Sequence, residues 1–314
     1  MSLFHAALAV AGAEGDGHVD WNAVGTAARV GTDPGDLTLS AAERDGYADD
    51  VAEARDGIRS AAGVDFDLPE TIQIQNRHHW IDTNVDTFRR LLGPIEGQTA
   101  VVPSIARTAN TGSMAVTLGF LANNVLGQYD PLLLGGDDHG LYFVHPNIVG
   151  IADALDVDRD RFRRWIAFHE VAHAAEFGTA PWLAEHLEGH VETTVEALTS
   201  GRFDREALSE LDATMTAVEG YAELVMDRAF DREYADLREK LDDRRQNVGP
   251  VSRVVRRLLG FGMKRRQYER GKKFFDAVAD ERGVAGAAAV WEGPENLPND
   301  AELDDPQKWL ARIA

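Results

Sequence analysis

Two histidines four residues apart, His169 and His173, flank a glutamate in the run His169-Glu170-Val171-Ala172-His173. On a helix the side chains at i and i+4 share one face, so both imidazoles can grip a single metal ion. Glu170 points about a third of a turn away, where it reaches a metal-bound water rather than the metal and can take that water's proton. The implied chemistry is hydrolysis by a zinc-activated water. With ten histidines in 314 residues, such a pattern arises by chance about two times in a hundred, so the surrounding sequence has to decide between a metal site and a pair of core histidines.

The surroundings favour the site. Phe162, Trp165, Ile166 and Val171, with Phe168 and Phe177 beside them, form an apolar stripe at helical spacing, and Asp158 and Asp160 suit a helix start. A hydrolytic zinc takes three protein ligands and keeps a position for water, so a third ligand is expected downstream. The chain has no cysteine, which leaves imidazole and carboxylate. Glu219 in Glu219-Gly220-Tyr221-Ala222-Glu223 is the best candidate, because Met215, Val218, Ala222, Val225 and Met226 place it on an apolar helical segment. Glu223, one turn further on, can then accept a hydrogen bond from the free ring nitrogen of a ligand histidine. The reverse assignment of the two glutamates stays open.

Glu-Gly-aromatic-Ala after such a helix resembles the third-ligand helix of gluzincin aminopeptidases, and a carboxylate four residues after the ligand glutamate resembles the thermolysin group. The 46 positions between His173 and Glu219 exceed the spacing in those enzymes, and residues 182–200 read as an inserted helix. A fuller match is to a little-characterised family of zincin-like hydrolases often associated with deazaflavin coenzyme biosynthesis. Its marks here are Asn76-Arg77 with Trp80 and Asn84, Leu126 to Pro131, Pro146-Asn147, Pro181-Trp182-Leu183, Glu219-Gly220 with Val225-Met226-Asp227, and Lys264 with Gln267-Tyr268 and Gly271. The resemblance implies a zincin-like metallopeptidase fold with Glu170 catalytic; no coenzyme binding is inferred.

The elements that must position these residues read mainly as helix, with little β structure. Residues 40–62 carry a capping-box pattern at Ser40 and Glu43, and residues 77–92 turn Ile81, Val85, Phe88, Leu91 and Leu92 inward. Residues 101–127 suggest a buried helix, and residues 141–144 are the one convincing strand, before a turn at Pro146. The expected organisation is a peripheral segment over 1–69, a core with the metal site over 70–243 and a basic helical unit over 244–314, all of which could be one domain.

Charge adds two expectations. The net charge is −21, with 53 acidic against 32 basic residues, of which five are lysine. Such a surface stays hydrated at molar salt, where the Debye length is about 3 Å, and suits a salt-rich cytoplasm; stable folding in dilute buffer would instead mark an ordinary acidic soluble protein. Neither a basic leader nor a long apolar run is present, so a cytoplasmic protein without membrane contact is expected. Residues 244–273 reverse the trend, with eleven Arg and Lys against Glu269 alone. That stretch is either a face paired with aspartates or a patch for an acidic partner, and nucleic acid is disfavoured by the overall charge.

Tyr268 and Tyr221 are candidate donors to a developing oxyanion. His186 and His190 form a second i,i+4 pair, read as solvent-facing on a polar helix, and His145 is the most plausible pocket member among the remaining histidines. The favoured reading is a zinc metallopeptidase cleaving a peptide or small amide, with His169, His173 and Glu219 on zinc. The alternatives are a zinc-stabilised binding protein without turnover, or an acidic-partner or nucleic-acid binder working through residues 244–273.

Overall fold

A computed structural model of the chain describes residues 10, 18–92, 103–130, 140–199, 204–230, 234, 236, 237, 240 and 261–313. The chain is mainly helical with one small three-stranded sheet. It forms two compact units, each drawn from separate stretches: residues 1–38, 71–150 and 191–204, and residues 39–70, 151–190 and 205–314. Among the described residues no helix is long and apolar enough to cross a membrane.

The first unit holds α1 (Trp21–Gly31), β1 (Thr71–Gln75), α3 (Arg77–Leu91), α4 (Pro103–Ala122), β2 (Gly127–Asp130) and β3 (Gly140–Val144). β3 lies in the middle, parallel to β1 and antiparallel to β2, and is buried along its length. Sequence reading found only β3. β1 and β2 lack an apolar run, because a strand beside a buried neighbour is held by the ladder rather than by its own hydrophobicity. α4 stops at Ala122, short of the expected 127, and the chain turns into β2. Pro146 does not make a turn; it sits in the first turn of α5 (His145–Leu155), where a missing N–H costs nothing. Trp21, Val24, Trp80, Ile81, Leu118 and Val144 form part of the core.

A polar network threads this core. Asn147 accepts from Arg77 Nε at 2.7 Å and donates to the carbonyls of Ala122 and Val125 at 2.8 and 2.6 Å, closing the end of α4. Trp80 donates to Gln128 at 2.7 Å, Gln128 to Asn84 at 3.2 Å, and Asn84 to the Trp80 carbonyl at 2.8 Å. Gly35, at φ +72°, lies so close to Pro146 that a Cβ there would come within 2.3 Å of the ring. Most of the motif residues that mark the resemblance in this half of the sequence are therefore scaffold.

The second unit is built on α2 (Ala41–Ala62), α6 (Arg159–Thr179), α8 (Arg205–Ala229) and α9 (Phe261–Ala287), with the first turns of α7 (Leu183–Thr199) and the short α10 (Asp300–Asp304) and α11 (Pro306–Arg312). The Ser40 and Glu43 capping box forms as expected at the start of α2. α2 packs on α6 and is tied to it by Asp50 and Arg163, 2.6 Å apart and nearly buried. α8 and α9 touch backbone to backbone at Gly220 and Gly271: a Cβ on Gly220 would fall 2.4 Å from the Gly271 carbonyl carbon, and one on Gly271 would fall 2.2 Å from the Thr216 oxygen.

Truncating Asn147 strands two buried carbonyls, each costing about 1–3 kcal/mol when left unpaired. Asn147→Ala should lower unfolding free energy by about 2–4 kcal/mol in denaturant titrations; an unchanged midpoint would show that the network is dispensable.

Candidate metal centre

α6 starts at Asp158, whose Oδ1 accepts from the Arg161 N–H at 2.8 Å, and Asp160 in the first turn complements the helix dipole. Its apolar stripe, with Phe162, Ile166, Phe168 and Val171 all buried, sets the roll of the helix and so the direction of His169 and His173. The Trp165 ring stacks on His169 at 5.8 Å between centroids and 3° between planes, which limits rotation of that imidazole. The two imidazoles stand edge to face at 4.6 Å.

Glu219 meets them from α8. Its Oε2 lies 3.9 Å from Nε2 of His169 and 3.9 Å from Nε2 of His173, and one ligand atom from each residue falls within 4.8 Å of the others. Among the described residues these three form the group of at least three His, Asp or Glu side chains that could hold a metal ion. The donor set fits: a metal with bonds of about 2.0–2.2 Å to nitrogen and oxygen sits between atoms at this separation after a small inward movement. Glu219 is 4 % exposed, and a buried carboxylate needs a compensating cation.

The partner of His173 was not anticipated. Nδ1 of His173 is 2.8 Å from Oε2 of Glu176, three residues later on α6 and fully buried. A carboxylate there holds the proton on Nδ1 and leaves the Nε2 lone pair facing Glu219 and the metal position. Burial opposes protonation of His173, but Glu176, Glu219 and Glu170 outweigh it and raise its pKa; burial also raises that of Glu176. Without a metal, the pair retains a proton that metal binding displaces. The sequence signal was an acid in the otherwise apolar run after His173, between Ala175 and Phe177.

Glu170 is buried on α6, and Glu223 is buried on α8 one turn beyond Glu219. Tyr221 lies among core aromatics, with ring centroids 5.4 Å from Phe275 and 5.5 Å from Trp291, and burial raises the pKa of its phenol. The Tyr268 side chain and most of residues 244–273 lie outside the described residues. Within the described part of that stretch, Arg270 is paired with Asp300 and Asp304, and Lys272 with Asp227 and Asp276. His145 belongs to the first unit. His186 and His190 are half-buried rather than solvent-facing.

The family profile described as zincin-like metallopeptidase matches residues 19–204 and 198–310. Among solved structures the chain is similar to one from Chloroflexus aurantiacus, described as a "putative hydrolase with a novel fold". The two share 30% identity and a TM-score of 0.73 over 98% of this chain and 96% of that one. No curated protein matches.

With zinc as probe, Glu219→Ala should lower uptake by one ion per chain, and Glu176→Ala should weaken that ion by about 10 to 100-fold, measured by competition with a chromophoric chelator. Full affinity in Glu176→Ala would mean that the His173 contact does not tune the ligand.

Proposed function

The chain belongs to the zincin-like metallopeptidase family, and on that premise we propose that it is a zinc-dependent hydrolase that cleaves a peptide or small amide bond. The observation that carries this reading is the single Glu219 oxygen equidistant from two imidazole nitrogens on another helix. Two neutral imidazoles and one carboxylate leave a net positive zinc centre with room for a water.

His169, His173 and Glu219 would hold the metal. Zinc, when bound, acidifies water and polarises a carbonyl oxygen. Glu170 takes the proton of the attacking water and returns it to the leaving amine, so that neither hydroxide nor an amide anion has to exist free. Glu176 keeps His173 in the tautomer that presents Nε2, and Trp165 keeps His169 in plane; neither touches substrate. The absence of cysteine makes the oxygen and nitrogen donor set insensitive to thiol oxidation. A cytoplasmic setting at high salt suits the acidic surface.

Glu170→Gln removes the base while preserving shape. It should retain one zinc per chain and lose at least about 100-fold in kcat against whichever peptide in a quenched-fluorescence library the wild type cleaves. Wild-type turnover in Glu170→Gln would sink the general-base role, and a zinc-loaded wild type inert on peptides and amides alike would leave a metal-stabilised binding protein.

A further inference from the structure

A second histidine pair lies outside the site described above. His186 and His190 stand four residues apart on α7, and their Nε2 atoms are 3.2 Å from each other. The rings meet edge to face with centroids 4.4 Å apart and planes at 78°. His169 and His173 show nearly the same arrangement, 4.6 Å and 74°. Two imidazoles bound to one tetrahedral ion at 2.0–2.1 Å place their nitrogens about 3.3 Å apart, so the second pair already has the bite of a metal chelate.

Its surroundings complete the pattern. Glu210 on α8 places Oε2 3.5 Å from Nδ1 of His190, on the side of the ring away from His186. This is an ion pair longer than the 2.8 Å contact of Glu176 with His173, and a short approach of the carboxylate would hold the proton on Nδ1 and leave the Nε2 lone pair for a metal. Trp182 lies edge-on to the His186 ring at 5.6 Å and limits its rotation. Burial, and then the neighbouring His190, lower the pKa of His186, which favours its neutral, ligating form.

We propose that His186 and His190 form a second, exchangeable site for a divalent transition metal of imidazole preference, such as zinc, nickel or copper(II), oriented by Glu210. Two protein ligands leave the remaining positions to water or to a donor from a bound molecule, so the site binds more weakly than the three-ligand centre. It is not half of a two-metal catalytic cluster. Glu210 and Glu219 are nine residues apart on α8, about 13 Å along its axis, whereas paired catalytic metals lie about 4 Å apart. An ion there links the start of α7 to α8 through Glu210 and stabilises the folded chain in proportion to its occupancy. The proposal is independent of the hydrolase reading.

The test uses the full chain in high-salt buffer, in the native background and in Glu219→Ala. Calorimetric titration with zinc should show one ion more per chain in the parent than in the His186→Ala/His190→Ala double variant in both backgrounds, and Glu210→Gln should weaken that ion by about 10-fold or more. Equal uptake by parent and double variant overturns the proposal, whether or not the first site binds. Copper(II) paramagnetic resonance on a His169→Ala/His173→Ala background, which removes the other imidazole pair, guards against a misfolded double variant. Two imidazole nitrogens should be read there and one after His186→Gln; a spectrum unchanged by His186→Gln also overturns it.

Discussion

A carboxylate buried opposite two imidazoles organises the unit that carries the candidate metal centre. Glu219 is almost inaccessible, and an isolated buried charge costs several kcal/mol that only a cation or close donors can offset. His169 and His173 present their Nε2 atoms from α6 at 3.9 Å, so that a cation held between them and Glu219 would offset that cost, and Glu176 behind His173 adds a second buried acid to the same cluster. Two acids and two bases in one low-dielectric spot form a poor packing solution but a good cation receptor. The helices then have to be held firmly enough that the cluster does not relax by drifting apart. The Asp50 and Arg163 pair between α2 and α6 and the glycine contact between α8 and α9 contribute to this.

The first unit takes on a different burden. Its family-marking residues Arg77, Trp80, Asn84, Gln128 and Asn147 bond to one another and to the end of α4. Asn147 gathers the last carbonyl of α4 and that of Val125 just beyond it, which a helix end would otherwise leave to water. A polar network of this kind specifies one arrangement of a small sheet and its helices more sharply than apolar packing alone. Motif residues thus divide into those that hold a metal position and those that hold the backbone, and residue type alone does not separate the two.

What was legible in the sequence follows from period and locality. The α6 motif, its cap and the Glu219 helix were readable because each lies within one amphipathic stretch. β1 and β2 were not, since Thr71–Gln75 and Gly127–Asp130 become strands only beside β3. Glu176 escaped because the search for a carboxylate partner looked downstream on another helix, while the actual contact is three residues away on the same one. The half-burial of His186 and His190 was hidden for a similar reason: α7 is polar in composition, and its neighbours, including Glu210 on α8, come from distant sequence.

The Gly220 and Gly271 contact bears on when the metal centre comes into being. All three ligand residues have been synthesised by position 219, yet the backbone of the helix carrying Glu219 rests on a residue 52 positions later. A nascent chain long enough to contain the ligands still lacks the surface that seats them. Since domains consolidate as their partners emerge, the spacing of these three side chains depends on chain made well after the last of them.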